Sequence, residues 1–279
     1  MNVAEQARQA EKFRNMHRGP GLLLLPNAWD AISARIFAVA GFPAIATTSG
    51  GVSWALGYAD GEAAPWPEVV AATARIVRVV AAPVTADIEA GFGDTPEAVG
   101  KSISEIIQAG AVGVNLEDGT PRGTAPIRTV ADAARRIAAA REAARAAAVP
   151  IVINARTDLY LRNIGDPAAR FDEAIERGKA YLAAGADCFY PIGLHDPATI
   201  ARLVKALAAP ININVRAGSP SVAELEALGV IRASTASAVA LMAVSTIRQV
   251  AEELKATGRF DALNPAMAQA DAQRLFADS

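Results

Sequence analysis

The chain has one cysteine, Cys188, and two histidines among its 279 residues. A single cysteine cannot form a disulfide within the chain, and so few sulfur and imidazole ligands argue against a zinc site. The formal net charge of -2 gives no basic surface for nucleic acid, and the apolar runs are too short or too interrupted to span a bilayer. The amino-terminal segment has no apolar signal-peptide core. These absences favour a small-molecule partner and a cytoplasmic location.

No tract rich in glycine, serine and proline divides the chain, although 279 residues could hold two small domains. Short apolar segments instead alternate with alanine-rich helical segments, which is typical of β/α units around a parallel sheet. The predicted strands are 22–25, 44–47, 84–87, 113–116, 151–154, 188–190, 211–215 and 231–233. Eight such units predict a single α/β domain over 1–279, a (β/α)8 TIM barrel.

Helix boundaries follow from capping residues. Asp30 is predicted to cap a helix over 31–39, and Thr95-Pro96 to begin one that ends at Gln108. After the eighth strand, segments 237–255 and 264–277 each predict a helix, which is more than a barrel needs to close. We therefore expect 237–279 to be a helical extension that packs on a neighbouring subunit.

Acidic side chains follow several of the predicted strands. Asp87 and Glu89 follow the third strand, Glu117 and Asp118 the fourth, and Asp60 lies in the loop after the second. Because the active site of such a barrel lies at the carboxyl ends of its strands, these acids are expected to converge. They could instead cap turns or pair with arginines. Several oxygen ligands near one point favour Mg²⁺, with Mn²⁺ as the alternative.

Other polar residues meet the same strand-end criterion. Arg156 is either a structural ion-pair partner or a bidentate ligand for a substrate carboxylate. Asn214 is expected to bind the far end of the substrate. Ser49, Gly50 and Gly51 follow the second strand, where glycines let backbone N–H groups approach an anion.

The cysteine and the histidines are weaker candidates for catalytic or binding roles. Cys188 lies inside a strand, so a buried structural role is favoured over a nucleophilic one. His17 is predicted to lie on a surface helix without a role. His195 is either a site residue or a loop histidine beside the helix cap at Asp196.

Four segments together resemble the isocitrate lyase and phosphoenolpyruvate mutase superfamily. They are LLLLPNAWDAISARIFAVAGFPAIATTSGGVSWALGYADGE, ADIEAGFGD, GVNLEDG and INARTD, in this order. The resemblance extends over about 22–233. It implies a Mg²⁺-dependent barrel enzyme that binds a 2-oxo or 2-hydroxy acid and makes or breaks a C–C or P–C bond next to an enolate.

The resemblance also implies a metal site. Asp87 corresponds to the direct metal ligand, and Asp60, Glu89 and Glu117 correspond to residues that hold metal-bound water. Glu89 stands where many relatives have aspartate, a change that an outer-sphere role tolerates. Asp60, Glu117 and Arg156 are expected to be the catalytic residues.

Substrate contacts are implied in the same way. Ser49, Gly50 and Gly51 correspond to a loop that grips the oxo-acid carboxylate, and Arg156 to the substrate-binding arginine. Relatives also tend to exchange a C-terminal helix between subunits, which implies a homodimer or homotetramer with swapped helices.

The segment after Glu117 departs from the lyases of the superfamily. They carry Lys-Lys-Cys-Gly-His on a mobile lid, whereas this chain reads EDGTPRGTAPIRT, in which Arg122 supplies a positive charge. Without the thiol acid, the expected reaction is C–C cleavage that needs no enzyme proton, such as decarboxylation of oxaloacetate. Phosphonopyruvate hydrolysis, phosphoenolpyruvate mutation and non-catalytic binding of a 2-oxo acid remain the alternatives.

Overall fold

A computed structural model describes residues 1–121, 125–264 and 266–277, and in this part of the chain the strands form one parallel barrel. The strand segments are β1 (Leu23–Leu25), β2 (Asn27–Ala28), β3 (Ile45–Thr47), β4 (Val84–Asp87), β5 (Gly113–Glu117), β6 (Val152–Thr157), β7 (Cys188–Pro191), β8 (Asn212–Asn214) and β9 (Arg232–Ser234). Each lies within two or three residues of a predicted boundary.

The barrel closes through β1 and β2, which share one strand position. β1 pairs with β9, which pairs with β8, and β2 to β7 pair in chain order, every pair being parallel. A parallel bridge between Phe189 and Ile211 joins β7 to the chain entering β8. Pro26 separates β1 from β2 because it has no N–H group for the ladder. The predicted α/β fold with eight β/α units is confirmed.

The described helices surround the strands and extend beyond them. They are α1 (Val3–Met16), α2 (Ala31–Val39), α3 (Ser49–Leu56), α4 (Trp66–Arg78), α5 (Pro96–Gln108), α6 (Val130–Ala146), α7 (Arg170–Ala183), α8 (Pro197–Leu207), α9 (Val222–Ala227), α10 (Ala238–Thr257) and α11 (Gln269–Arg274). The side chains of Asp30, Thr95 and Asp196 accept hydrogen bonds from the first turns of α2, α5 and α8. Caps read from the sequence therefore set these helix starts correctly.

Helix α1 covers the amino-terminal end of the barrel. Its Phe13 is fully buried, and a Cβ added to Gly113 would lie 2.8 Å from the Phe13 ring. Only glycine at that point of β5 leaves room for the ring. The barrel is thus plugged at one end, and its opposite end, where the strands finish, is left for the site.

The prediction that His17 lies on the surface is wrong. His17 ends α1 with 3% of its surface exposed, because Phe13 and Arg232 enclose its ring. Burial and, secondarily, the charge of Arg232 lower the pKa of His17 to about 3. Its imidazole is therefore neutral at physiological pH.

The C-terminal extension differs from the prediction in its second helix. Within 264–277 only Gln269–Arg274 is helical, preceded by a 3-10 turn over Asp261–Leu263, and Met267 stays 55% exposed. So short and polar a helix has too few apolar residues to bury a continuous face. Arg35 of α2 donates a hydrogen bond to the backbone oxygen of Leu275. No helix in the described residues has the length and apolar character of a membrane span.

Candidate active site

A cavity of about 250 Å³ lies at the carboxyl ends of the strands. Its walls include Asp60, Asp87, Asn115, Arg156, Asn214 and Arg216. These side chains come from loops and strands spread over more than half of the barrel, so closure of the barrel brings them together. The position is the one where barrels of this kind carry their chemistry.

A larger cavity, of about 590 Å³, lies at the opposite end of the strands. Arg14 and Arg141 line it, but both pair with Asp187, and both donate to the backbone oxygen of Ile151. These arginines brace the amino-terminal ends of the strands. We therefore place the candidate site in the smaller cavity.

Asp87 is the last residue of β4 and lies at the floor of the site. Its Oδ2 accepts a hydrogen bond of 3.2 Å from the N–H of Ser49, and its Oδ1 one of 3.4 Å from the N–H of Glu89. Burial raises the pKa of Asp87, and the charge of Arg156 acts in the opposite direction. No cationic side chain among the described residues forms an ion pair with Asp87, so its charge is only partly compensated.

Two further carboxylates lie near Asp87. A Cβ added to Gly50 would lie 3.3 Å from Oδ2 of Asp60, so the Asp60 carboxylate rests against α3 and reaches the cavity. Glu89 is buried and accepts a hydrogen bond of 2.8 Å from the N–H of Glu62. Burial, followed by the charges of Asp87 and Asp60, raises the pKa of Glu89 to about 8. This accumulation of acids requires a cation or protonation to be stable.

Glu117 and Arg156 are neighbours on β5 and β6. Nη1 of Arg156 lies 2.8 Å from Oε2 of Glu117, and its Nε lies 2.7 Å from Oδ1 of Asp158. Neither ion pair uses Nη2. Arg156 is thus an ion-pair partner, and it also lines the cavity with Nη2 outside both pairs. Glu117 does not itself line the cavity; its partner Arg156 does. Burial raises the pKa of Glu117.

Asp118 does not face the site, contrary to the expectation that all of these acids converge. Its Oδ2 accepts hydrogen bonds from Tyr181 at 2.7 Å and Arg177 at 3.0 Å, both on α7. Adjacent residues at a strand end project to opposite sides. Glu117 therefore points towards the mouth, whereas Asp118 joins β5 to the outer helices.

The Ser49-Gly50-Gly51 segment is the first turn of α3 and not a loop. Ser49 and Gly50 line the cavity, where N–H groups of a first helical turn lack partners within the helix. Gly51 does not line it. A Cβ on Gly51 would lie 2.7 Å from Cβ of Trp29, so close packing against Trp29 explains this glycine.

One part of the cavity wall is rich in donors. Oδ1 of Asn214 accepts a hydrogen bond of 2.9 Å from the N–H of Gly193, which leaves its amide nitrogen as the free end. His195 and Arg216 line the same wall, and burial and Arg216 lower the pKa of His195. Cys188 is fully buried within β7, and burial raises its pKa to about 12, which fits the structural role predicted for it.

The described residues on either side of 122–124 pair with each other. Gly119 and Ile127 form an antiparallel bridge, and the N–H of Arg128 donates to the oxygen of Asp118 at 2.8 Å. Arg122, the positive charge expected in this segment, lies outside the described residues.

The donor set suits a hydrated divalent ion. Among the described residues no group of three His, Cys, Asp or Glu side chains is arranged to hold a metal by itself. Mg²⁺ commonly retains several waters and takes one or two protein carboxylates. Asp87, half-buried, without an ion-pair partner in the described residues and with Asp60 on the same cavity, fits such an ion as a direct ligand.

Sequence reasoning missed Asn115, which lines the cavity beside Asp87. The signal was present: Asn115 lies two residues before Glu117 on one strand, and residues two apart on a strand face the same side.

The sequence model of the phosphoenolpyruvate phosphomutase family matches residues 13–255. The chain belongs to this family. The match covers the whole barrel and most of α10, and the resemblance to the isocitrate lyase and phosphoenolpyruvate mutase superfamily is thereby confirmed.

Individual members are similar over most of their length. A crystal structure of a candidate lyase/mutase from Burkholderia cenocepacia has 39% identity and a TM-score of 0.91, and the match covers 98% of this chain and 97% of that one. The 2,3-dimethylmalate lyase of Eubacterium barkeri is 30% identical over 79% of this chain and 77% of that protein. The structure of oxaloacetate acetylhydrolase in complex with the product oxalate has 26% identity and a TM-score of 0.83, covering 96% of this chain and 93% of that one. The family thus includes enzymes named as carbon–carbon lyases.

Proposed function

We propose that the protein is a Mg²⁺-dependent carbon–carbon lyase that acts on a small 2-oxo acid with a second acidic group, by decarboxylation of the oxaloacetate type. The observation that carries this proposal is the presence of Asp87 and Arg156 on one cavity of about 250 Å³. A carboxylate without an ion-pair partner suits a divalent ion, and a guanidinium beside it suits the anion that such an ion would bind.

The metal would be held by Asp87 directly, with Asp60, Glu89 and Glu117 bonded to its waters. When bound, Mg²⁺ would draw electron density from the 2-oxo group and stabilise the enolate left when the bond at C3 breaks.

The other residues orient the substrate. Nη2 of Arg156 and the N–H group of Gly50 at the start of α3 would hold the carboxylate next to the 2-oxo group, while the N–H of Ser49 stays bonded to Asp87. This arrangement fixes C3 and its leaving group between the metal side and the donor-rich wall. Carbon dioxide leaves without a proton from the enzyme, and C3 of the enolate would then take a proton from solvent water to give pyruvate. The absence of a thiol acid between Asp118 and Thr129 is therefore compatible with the reaction.

The donor-rich wall favours a substrate with a second negative group. Arg216 forms no ion pair with any described residue, and it lies with His195 and Asn214 on the cavity. An anion at C4 of the substrate would satisfy these groups.

We expect Arg216→Gln to raise KM for oxaloacetate about fivefold to tenfold, because an exposed cation contributes modestly to binding an anion. Binding of pyruvate, which lacks the second carboxylate, should change little. Arg75→Gln on α4, exposed and outside the cavity, is the matched control. Equal changes for both ligands would argue that Arg216 does not recognise the second carboxylate.

Phosphorus–carbon chemistry is the second candidate, because the matching family is named for phosphoenolpyruvate phosphomutase and a phosphonate would also suit the donor-rich wall. Turnover decides between the candidates. Purified protein with Mg²⁺ should release pyruvate and carbon dioxide from oxaloacetate, whereas release of phosphate from phosphonopyruvate would support the alternative. Saturable, metal-dependent binding without turnover of either compound would indicate a non-catalytic 2-oxo-acid binding protein.

We also propose that the active form is a homodimer or a dimer-based homotetramer that exchanges C-terminal helices. Helix α10 exposes four large apolar side chains, of which Ile247 is 68% exposed, and buries only Ala240 against its own barrel. Leu241, Met242 and Val244 complete this surface. Apolar surface of this extent on a helix favours burial in an interface.

Truncation after Gly258 is expected to weaken this assembly before it affects metal binding, and Ile247→Asp should dissociate it further. Both results follow if α10 and the residues after it pack on the partner. Sedimentation velocity at micromolar concentration measures the change, with Lys179→Glu on the exposed side of α7 as the control. A parent protein that sediments as a monomer would contradict the proposed assembly.

A further inference from the structure

Asn115 lies on β5 directly beside Asp87 on β4, with which it is paired in register. Its side chain lines the cavity, and its Oδ1 accepts two hydrogen bonds, from Nδ2 of Asn154 at 2.8 Å and from Nη2 of Arg232 at 3.2 Å. No described residue pairs with its Nδ2. The carbonyl oxygen of the Asn115 amide is therefore hydrogen-bonded below the cavity, whereas the amide nitrogen has no partner among the described residues.

The contact with Arg232 determines the orientation of the Asn115 amide, that is, the positions of its oxygen and nitrogen. A guanidinium can only donate hydrogen bonds, so the atom of Asn115 that faces Arg232 must be the carbonyl oxygen. The nitrogen must then be the end directed to the cavity. Rotation of the amide would place two donors against each other in a buried position, which is strongly unfavourable.

Arg232 is itself held in place from below. It is fully buried in the barrel, its guanidinium lies 5.9 Å from the centre of the Phe13 ring, and its Nη1 lies 3.4 Å from Nε2 of His17. Nδ1 of His17 lies 2.9 Å from the backbone oxygen of Phe13. Because that oxygen only accepts, Nδ1 carries the proton and Nε2 is free to accept from Arg232.

We propose that Asn115 is a substrate-binding residue whose Nδ2 donates a hydrogen bond to the ligand oxygen next to Asp87, and that Arg232 and His17 are positioning residues that orient it. The ligand class is an oxyanion or carbonyl oxygen of a 2-oxo acid, an acceptor that a carboxylate at this position would repel. The inference rests on the proposed function in one respect, namely that the substrate occupies this cavity.

The chain of contacts explains residues that the proposed reaction otherwise leaves without a role. His17 and Arg232 lie beneath the site and touch no part of the cavity, yet both are buried polar groups that a barrel interior does not need. A buried arginine without an ion pair in the described residues is costly. Its position is accounted for if it sets the direction of the Asn115 amide.

Asn115→Asp tests the donor directly. The variant keeps the size of the side chain and an oxygen that can accept from Arg232 and Asn154, so the fold is expected to persist. Affinity for oxalate in the presence of Mg²⁺, measured by titration calorimetry, should fall at least about tenfold because a donor is replaced by a repelling carboxylate. Unchanged oxalate affinity in a folded Asn115→Asp protein would overturn the proposal.

Arg232→Met tests the positioning role. It should lower oxalate affinity by a smaller factor, about threefold to tenfold, because the amide loses the contact that orients it. In the double variant with Asn115→Asp, the two losses should not multiply. A purely structural arginine would lower the unfolding temperature and leave oxalate affinity unchanged. Arg232→Lys, which keeps the charge with a single donor group, replaces Arg232→Met if that protein does not fold, and the same comparison applies.

The outcomes separate this inference from the proposed reaction. Turnover of oxaloacetate that Asn115→Asp does not affect would overturn the role of Asn115 and leave the reaction in place. The parent protein could instead turn over no 2-oxo acid and still bind oxalate more tightly than Asn115→Asp does. That result would support the role of Asn115 and reject the lyase reaction.

Discussion

Asp87→Asn is expected to reduce Mg²⁺-dependent turnover by at least about a thousandfold, because it removes the charge of the proposed direct metal ligand. Asparagine preserves the size of the side chain and one oxygen that can accept from the N–H of Ser49. Mg²⁺ affinity, measured by titration calorimetry, should fall together with turnover. Glu89→Gln should have a milder effect, since Glu89 is proposed to act through water.

Stability distinguishes a metal ligand from a structural acid at this position. The half-buried Asp87 has a raised pKa and no ion-pair partner among the described residues, so neutralising it should maintain or raise the unfolding temperature of the metal-free protein. Asp172→Asn, on the exposed side of α7, provides the control for loss of one negative charge. If Asp87→Asn binds Mg²⁺ as tightly as the parent, the metal site has been assigned incorrectly.

The barrel could be predicted because its signals are local. Apolar runs of four or five residues mark the strands, and side chains such as Asp30 and Thr95 determine where helices begin through contacts three residues away. Convergence of Asp60, Asp87 and Arg156 followed from the parallel arrangement alone. The rule that strand ends meet at one edge requires no knowledge of individual contacts.

The predictions that were wrong depended on contacts between distant parts of the chain. His17 looked like a surface residue because α1 is polar, and only Arg232, 215 residues away, makes its position a buried one. Asp118 was grouped with Glu117, although their side chains project to opposite sides of the barrel wall. Gly51 was interpreted as an anion contact, whereas Trp29 leaves no room there for a larger side chain.

Arg156→Lys is expected to weaken binding of 2-oxo acids by about 2 kcal/mol, equivalent to a rise in KM of roughly 30-fold. A lysine keeps the charge near Glu117 and Asp158, but its single ammonium group cannot serve both ion pairs and also present a donor to the substrate. The expected result is therefore a larger change in KM than in the unfolding temperature. Steady-state kinetics with oxaloacetate and thermal unfolding of the same preparations measure both.

Arg162→Lys is the matched control for that experiment. Nε of Arg162 lies 2.8 Å from Oδ2 of Asp158, so Arg162 shares a partner with Arg156, but its side chain is 42% exposed and does not line the cavity. Loosening Asp158 alone should change KM only slightly. If both lysine variants raise KM equally, Arg156 acts through the ion-pair network that it shares with Arg162, and the substrate carboxylate must be held by other donors, such as the N–H group of Gly50 at the start of α3.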